Sequence, residues 1–247
     1  MGTERRVLRI GGDDREDFLQ GLITNDVRPA TQGLVYAAIL TPQGKYLADF
    51  FLTTNDGAIL LDVDAEQAGS LAQRLNMYKL RAKVTIEDSG LFVERGTGTL
   101  PAGALPDPRH PALGWRRFTD ATSTEDTTDW DAIRVAHCIP ETGIELIPNE
   151  TFILEAGFER LNGVDFRKGC YVGQEVTARM KHKTELRKGL AVVTVDGNAA
   201  VGSEVTRSGK SVGTLYTQSG GRGIAYLRFD RAGPDMEAGG VRVGYTA

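Results

Sequence analysis

Residues 167–188 read RKGCYVGQEVTARMKHKTELRK. They contain Cys170, one of two cysteines in the chain, between Gly169 and Gly173, which allow a tight turn or a close backbone approach. Seven Lys and Arg against two Glu give this stretch a charge of +5, in a chain whose formal net charge is −4. A basic segment in an acidic protein predicts an anion-binding site.

The same charges bear on the thiol of Cys170. Neighbouring Lys and Arg side chains lower the pKa of a cysteine and raise its fraction of thiolate, the form that reacts and binds metal. The alternative is that Cys170 is a small buried apolar residue and that the basic residues form a solvated helix face. Composition alone favours this alternative. The order of the residues in the stretch favours a reactive or metal-binding Cys170.

Residues 168–175, KGCYVGQE, resemble the K-G-C-[FY]-x-G-Q-E signature of the YgfZ family, folate-binding relatives of the glycine-cleavage T-protein, an aminomethyltransferase. The flanking residues 161–166 and 178–182 also match, and they most resemble the branch that includes the mitochondrial iron–sulfur assembly factors. The residues that carry the match are Lys168, Gly169, Cys170, Tyr171, Gly173, Gln174, Glu175, Arg179 and His182.

The resemblance covers about residues 7–245 and implies an α+β fold, with T-protein-like intertwined α/β domains before a C-terminal β-barrel. It implies a discontinuous folate-binding domain at 1–46 and 130–186, an inserted α/β domain at 47–129 and a barrel at 187–247. The implied function is that of a tetrahydrofolate-binding accessory protein in the assembly or repair of iron–sulfur proteins, with a link to tRNA modification. Cys170 would be its key residue.

Three further segments match the family and supply the folate-binding candidates. Residues 17–27, DFLQGLITNDV, are similar to a block close to the folate site, which implicates Asn25 and Asp26; their residue types alone indicate a turn. Arg134 matches an arginine that faces the folate glutamate tail, and a surface ion pair is its alternative role. Tyr78 and Arg81 lie in a helix–tyrosine–arginine–strand run similar to the family, and a surface salt bridge is the alternative for Arg81.

Asp49 is the second catalytic candidate beside Cys170. An acid in a strand usually faces solvent, but the T-protein aspartate that assists one-carbon transfer belongs to the matching strand region. The family's G-Y-T-G-E-x-G block, whose glutamate grips the pterin ring, is missing here, and the polar residues 119–129 occupy its region. The chain is therefore expected to keep folate binding without classical aminomethyl transfer.

Local patterns predict the elements of the chain. A helix is expected after Asp13, and two more are expected to begin at the N-caps Asp64 and Asp129. Gly- and Pro-rich residues 96–113 and polar residues 119–129 read as loops, the second of them mobile. The predicted strands lie at 7–10, 34–40, 47–53, 58–63, 82–86 and, in the barrel, 190–195, 204–206, 212–216, 224–228 and 241–245.

Composition and spacing limit the possible functions. No run of 18 apolar residues occurs, so no transmembrane helix or membrane partner is expected, and the net charge argues against direct nucleic-acid binding. Two cysteines make no disulfide framework and predict a reducing cytoplasm. A monomer is the default expectation. Gly209-Lys210-Ser211 is not a phosphate-binding loop, because its first glycine would fall at Glu204.

Three functional hypotheses follow. The first is the folate-binding accessory protein, with folate and iron–sulfur proteins or assembly factors as partners. The second is a tetrahydrofolate-dependent aminomethyltransferase with Asp49 as its carboxylate. The third is a binding module in which the motif only shapes packing. The histidines show no ligand spacing, which argues against a self-contained metal site, but Cys170 with His182 could share an iron–sulfur cluster transiently with a partner.

Overall fold

The computed structural model describes residues 4–121, 126–182 and 185–246, which form two compact units. The first unit comprises Met1–Thr128 and Phe158–Val176, and the second comprises Asp129–Gly157 and Thr177–Ala247. Part of the loop predicted at 119–129 and two residues of the basic stretch, 183 and 184, lie outside the described residues.

An antiparallel five-stranded sheet forms the centre of the first unit. Its strands are β1 (Arg5–Gly11), β2 (Val35–Leu40), β3 (Tyr46–Asn55), β4 (Ala58–Asp64) and β5 (Thr85–Asp88). Their order is β2-β3-β4-β1-β5. Because β3 pairs with both β2 and β4, the predicted boundary after residue 46 falls inside this sheet, and residues 47–129 do not form a separate insert.

One face of the sheet is covered by two helices, α1 (Arg15–Gln20) and α2 (Ala65–Lys79). Alternate strand residues such as Phe50 and Leu52 pack there with Leu71 and Leu75 of α2. Helix α2 begins as predicted, because the Asp64 side chain accepts a hydrogen bond from the backbone N–H of Glu66.

The opposite face of the sheet buries charged groups. Asp62 of β4 pairs with Arg5 at 2.6 Å and with Arg116 at 2.9 Å. Asp107 pairs with Arg116 at 3.1 Å and with Arg109 at 2.9 Å. Burial alone would raise the pKa of Asp107, but the two guanidinium groups hold it well below its usual range. These five residues form one ion network, which joins residues 107–116 to Arg5 and Asp62.

A three-stranded sheet completes the first unit. Its strands are β6 (Phe92–Gly96), β7 (Leu105–Pro106) and β8 (Trp115–Thr119), with β8 in the middle. Short 3₁₀ helices occur at Arg28–Thr31 and Pro111–Leu113. The segment 96–113, predicted as a loop, therefore contains the two-residue strand β7 and a 3₁₀ turn.

The second unit contains helix α3 (Trp130–His137) and a closed six-stranded barrel. Asp129 caps α3 as predicted, through a hydrogen bond from the N–H of Ala132. The barrel order is β10-β11-β12-β9-β14-β13. Its strands are β9 (Lys188–Asp196), β10 (Ser203–Arg207), β11 (Lys210–Ser219), β12 (Arg222–Arg228), β13 (Met236–Ala238) and β14 (Val241–Gly244).

The last helix, α4 (Gln174–His182), starts in the residues of the first unit and ends in those of the second. Among the described helices, none has both the length and the apolar character needed to cross a bilayer.

Candidate functional site

Two stretches that the sequence marks as motifs are joined in the first unit. The hydroxyl of Thr24, which is fully buried, donates to the carbonyl of Gly163 at 2.6 Å and accepts from the N–H of Ala38 at 2.9 Å. The Thr24 carbonyl in turn accepts from the N–H of Asp165 at 3.0 Å. Residues 17–27 and the residues just before the cysteine motif therefore form one hydrogen-bonded platform.

Asn25 and Asp26 make hydrogen bonds within this platform. The Asn25 amide donates to the carbonyls of Tyr36 at 2.8 Å and Asn162 at 2.7 Å, and its oxygen accepts the N–H of Asp26. Asp26 pairs with Arg28, whose hydrogen bonds lower the pKa of Asp26 to about 2. The polar groups of both predicted folate contacts therefore have hydrogen-bond or ion-pair partners within the protein.

Lys168 holds the cysteine motif to the same platform. Its Nζ donates to the carbonyls of Gln20 at 2.6 Å and Ile23 at 2.7 Å and lies 4.8 Å from the ring centre of Tyr171. Burial lowers the pKa of Lys168 to about 8, although Asp26 acts in the opposite direction. Lys168 is 6% exposed, so it does not belong to a solvated basic face.

The residues after Cys170 are also anchored. Tyr171 is buried, and its N–H donates to the Gln174 side chain at 3.2 Å while the Gln174 N–H donates to the Tyr171 carbonyl at 3.2 Å, an arrangement like a capping box at the start of α4. Gly173 has a φ of 84° and packs on the turn that follows β2. Cys170, between the two anchors, is a free and exposed thiol.

Gly173→Ala should destabilise the protein by about 1–3 kcal/mol, because alanine is strained at positive φ. An added Cβ would also lie 2.5 Å from the carbonyl oxygen of Thr41. Gly169→Ala is the matched control, since its Cβ would meet no atom within 4 Å. Urea denaturation of the two variants measures the difference. Equal midpoints for both would contradict the anchoring role of Gly173.

The remaining members of the motif lie on the surface. Glu175, Arg179 and His182 of α4 are exposed, as is Arg167 before the motif. Over the residues described here, no group of three or more His, Cys, Asp or Glu side chains could hold a metal ion.

Asp49 lies in the buried interior rather than on the surface. It is 4% exposed, and its two oxygens accept hydrogen bonds from Tyr46 at 2.7 Å and Tyr36 at 3.0 Å. Burial, followed by the charge of Asp49, raises the pKa of Tyr36 well above its usual value. The general expectation that a strand acid faces solvent is wrong here, because both carboxylate oxygens have buried hydroxyl donors.

Arg134 forms a buried ion pair in the second unit. It is 3% exposed, and its guanidinium contacts Glu145 at 2.5 Å, Asp131 at 2.8 Å and Glu141 at 3.3 Å. Glu145 is also held by the hydroxyl of Thr217 at 2.6 Å. The surface ion pair considered for Arg134 is therefore wrong, and a folate carboxylate would have to displace one of these acids.

Tyr78 and Arg81 lie at the end of α2. Tyr78 packs partly against the core of the first unit, and Arg81 is exposed. Among the folate candidates, Asn25, Asp26 and Arg134 have their polar groups occupied within the fold. Folate binding stays a prediction from the family resemblance.

Sequence reasoning missed Thr24 and the arginines of the buried ion network. Nothing in the local sequence marks Arg109 and Arg116 as buried. Asp107 lies only two residues before Arg109, but Asp62, the second partner of Arg116, lies 54 residues before it. The role of Lys168 was missed for the same reason, since its carbonyl partners precede it by 148 and 145 residues.

Comparison with known proteins identifies relatives over most of the chain. It is 31% identical over 273 residues to the mitochondrial iron–sulfur cluster assembly factor IBA57 of Mus musculus, covering 91% of this chain and 75% of the relative. For the Homo sapiens protein of the same name the identity is 32% over 269 residues, with 90% and 75% covered. For the Neurospora crassa homolog the identity is 34% over 223 residues, which cover 75% of this chain and 51% of that protein.

Two further comparisons concern the fold. Residues 187–246 match the CAF17 C-terminal beta-barrel domain. The glycine cleavage system aminomethyltransferase T from Bartonella henselae has a similar structure, with a TM-score of 0.77 and 12% identity, covering 97% of this chain and 81% of that one. The predicted T-protein-like α+β fold with a C-terminal barrel is confirmed.

One prediction is overturned by these relatives. They are mitochondrial proteins by name, which contradicts the cytoplasmic location expected from the two cysteines. A low cysteine count indicates a reducing compartment but does not distinguish one such compartment from another.

Proposed function

The chain belongs to the IBA57 family of iron–sulfur cluster assembly factors, and from this premise we propose that it acts in the assembly of iron–sulfur clusters through the thiol of Cys170. The observation that carries the proposal is the exposed, free thiol of Cys170 between two anchored flanks. Lys168 fastens one flank, and Tyr171, Gly173 and Gln174 fasten the other.

The chemistry of the cluster calls for a partner. Iron–sulfur clusters are held mostly by four cysteine thiolates, and this chain has two cysteines, of which only Cys170 is exposed. A cluster bound at Cys170 would therefore take its other ligands from a partner, an iron–sulfur protein or another assembly factor. A single ligand favours transfer over storage, because the cluster leaves once one bond to this chain is broken.

The anchored flanks give the thiol a fixed position. Lys168 donates to backbone carbonyls that lie far away in the sequence, and Gly173 packs closely on the backbone of Thr41, so the segment around Cys170 is ordered before any partner arrives. A preordered ligand loses less conformational entropy on binding than one in a mobile loop. The exposed side chain also needs no unfolding step to reach iron.

Aminomethyl transfer is not part of the proposal. The carboxylate that would assist it, Asp49, is enclosed by Tyr36 and Tyr46, and the glutamate block of the T-protein is missing from the sequence. Folate binding and a link to tRNA modification stay predictions from the family resemblance. A monomeric state stays the default expectation.

The test uses cells that lack the endogenous protein. Cys170→Ser, expressed at the wild-type level, should fail to restore the activities of iron–sulfur enzymes, whereas enzymes without a cluster should be unaffected. Cys138→Ser is the matched control, because Cys138 is half-buried in the other unit, and it should restore them. Restoration by Cys170→Ser as complete as by wild type would overturn the proposal.

A further inference from the structure

Helix α2 ends in a turn that holds a leucine in a strained conformation. The N–H of Ala82 donates to the carbonyl of Lys79 at 2.8 Å, which closes a turn with Leu80 at its first central position. Leu80 has a φ of 44° and a ψ of −105°. These angles match the first central residue of a type II′ turn, which is normally glycine, because a Cβ is crowded there.

The side chain of Leu80 brings the fold no compensating burial. Leu80 is 88% exposed, and Met77, one turn earlier in α2, is 70% exposed. The core-facing residues of this helix are others, among them Leu71 and Leu75. A bulky residue that strains the backbone and is 88% exposed points to a role outside the chain.

The sequence on both sides of Leu80 is basic. Residues 67–84 contain four basic residues and no acid. None of the four forms an ion pair with another residue in the described parts of the chain. The carboxylate of Asp14 accepts the backbone N–H of Lys83 at 2.7 Å. The basic residues are Arg74, Lys79, Arg81 and Lys83.

We propose that the Leu80 knob, which comprises Met77, Lys79, Leu80, Arg81 and Lys83, docks a partner protein whose surface has an apolar pocket rimmed by Asp and Glu. Unpaired cations around the leucine complement such a rim and steer its approach. The turn presents Leu80, and Met77 lies one helical turn earlier, so the apolar part of the knob is small and suits a pocket. A membrane surface would require a wider apolar face with exposed aromatic residues, and the knob has neither.

This inference goes beyond the proposed function, since the knob and Cys170 are separate features that can be altered one at a time. Leu80→Gly removes the side chain and relieves the strain, so it separates a docking role from a structural one. A structural leucine would make the glycine variant less stable. A docking leucine leaves the melting temperature equal to or above that of wild type while function falls.

The first experiment compares Leu80→Gly with Val201→Gly, which removes another exposed apolar residue, 60% exposed, from the barrel unit. In the cells that lack the endogenous protein, Leu80→Gly should lower iron–sulfur enzyme activities at least about threefold with no loss of melting temperature, and Val201→Gly should not lower them. Full activity of Leu80→Gly alongside inactive Cys170→Ser would overturn the docking inference and leave the proposed function standing.

The second experiment identifies the chemistry of the partner. It also decides the case in which neither Leu80→Gly nor Cys170→Ser changes activity. p-Benzoylphenylalanine is incorporated at position 80 or, as the control, at position 201, and cells are irradiated. We expect a crosslink specific to position 80 on a peptide rich in Asp and Glu, lost when Lys79→Glu and Arg81→Glu are combined. No specific crosslink, one that survives charge reversal, or one to a second copy of this chain would overturn the inference.

Binding of the purified chain to vesicles of 30% phosphatidylserine that depends on Leu80 would also overturn it.

Discussion

Arg134→Ala should lower the free energy of unfolding by about 3–5 kcal/mol, the cost of removing one partner from a buried ion pair. The side chain of Glu145, its closest partner at 2.5 Å, has no solvent exposure. Alanine would leave this buried carboxylate without its guanidinium partner. Within the described residues, its remaining donors are the hydroxyl and N–H of Thr217 and the N–H of Glu141. Urea denaturation followed by circular dichroism measures the change.

Two further variants make this result specific. Arg6→Ala removes an ion pair with Asp88 whose side chains are 56% and 52% exposed, and such pairs contribute roughly 0–1 kcal/mol. Combining Arg134→Met with Glu145→Leu removes both buried charges and should cost less than Arg134→Ala alone. A cost for Arg134→Ala no greater than that for Arg6→Ala would contradict the structural role of Arg134.

Local signals in the sequence predicted much of the fold. Apolar, β-prone runs bounded by turn residues predicted β1 to β4 within about two residues, and Asp64 and Asp129 cap the helices expected of them. Asp56 and Gly57 both have positive φ, as the Asn-Asp-Gly hairpin between β3 and β4 requires. These features succeed because their physical causes lie within a few residues of one another.

The errors in the fold have a common origin. The strand expected from residue 82 starts at Thr85, because the type II′ turn and its following residues come first, and the three-residue strand β13 was not predicted at all. Pairing with β1 and with the other barrel strands determines these elements. Tertiary pairing of this kind has no signature in the local sequence.

The site was predicted in part. The motif singled out Cys170, which is exposed as a reactive thiol must be. The charge count of the same stretch was misleading for Lys168, since a lysine that caps the carbonyls of Gln20 and Ile23 is not available to an external anion. The surroundings of Arg134 were not predictable either, because a short sequence pattern does not reveal that three acids surround its guanidinium.

The central claim is that the Cys170 thiol contacts iron in the cell, and alkylation tests it most directly. Cells grown with ample iron or with an iron chelator are treated with N-ethylmaleimide, and the modified fraction of each cysteine is measured by mass spectrometry. Because iron-bound thiolate is not free to react, Cys170 should be protected several-fold with iron and should lose that protection with the chelator. Cys138, half-buried in the other unit, should react equally under both conditions. Equal alkylation of Cys170 with and without iron would contradict the account.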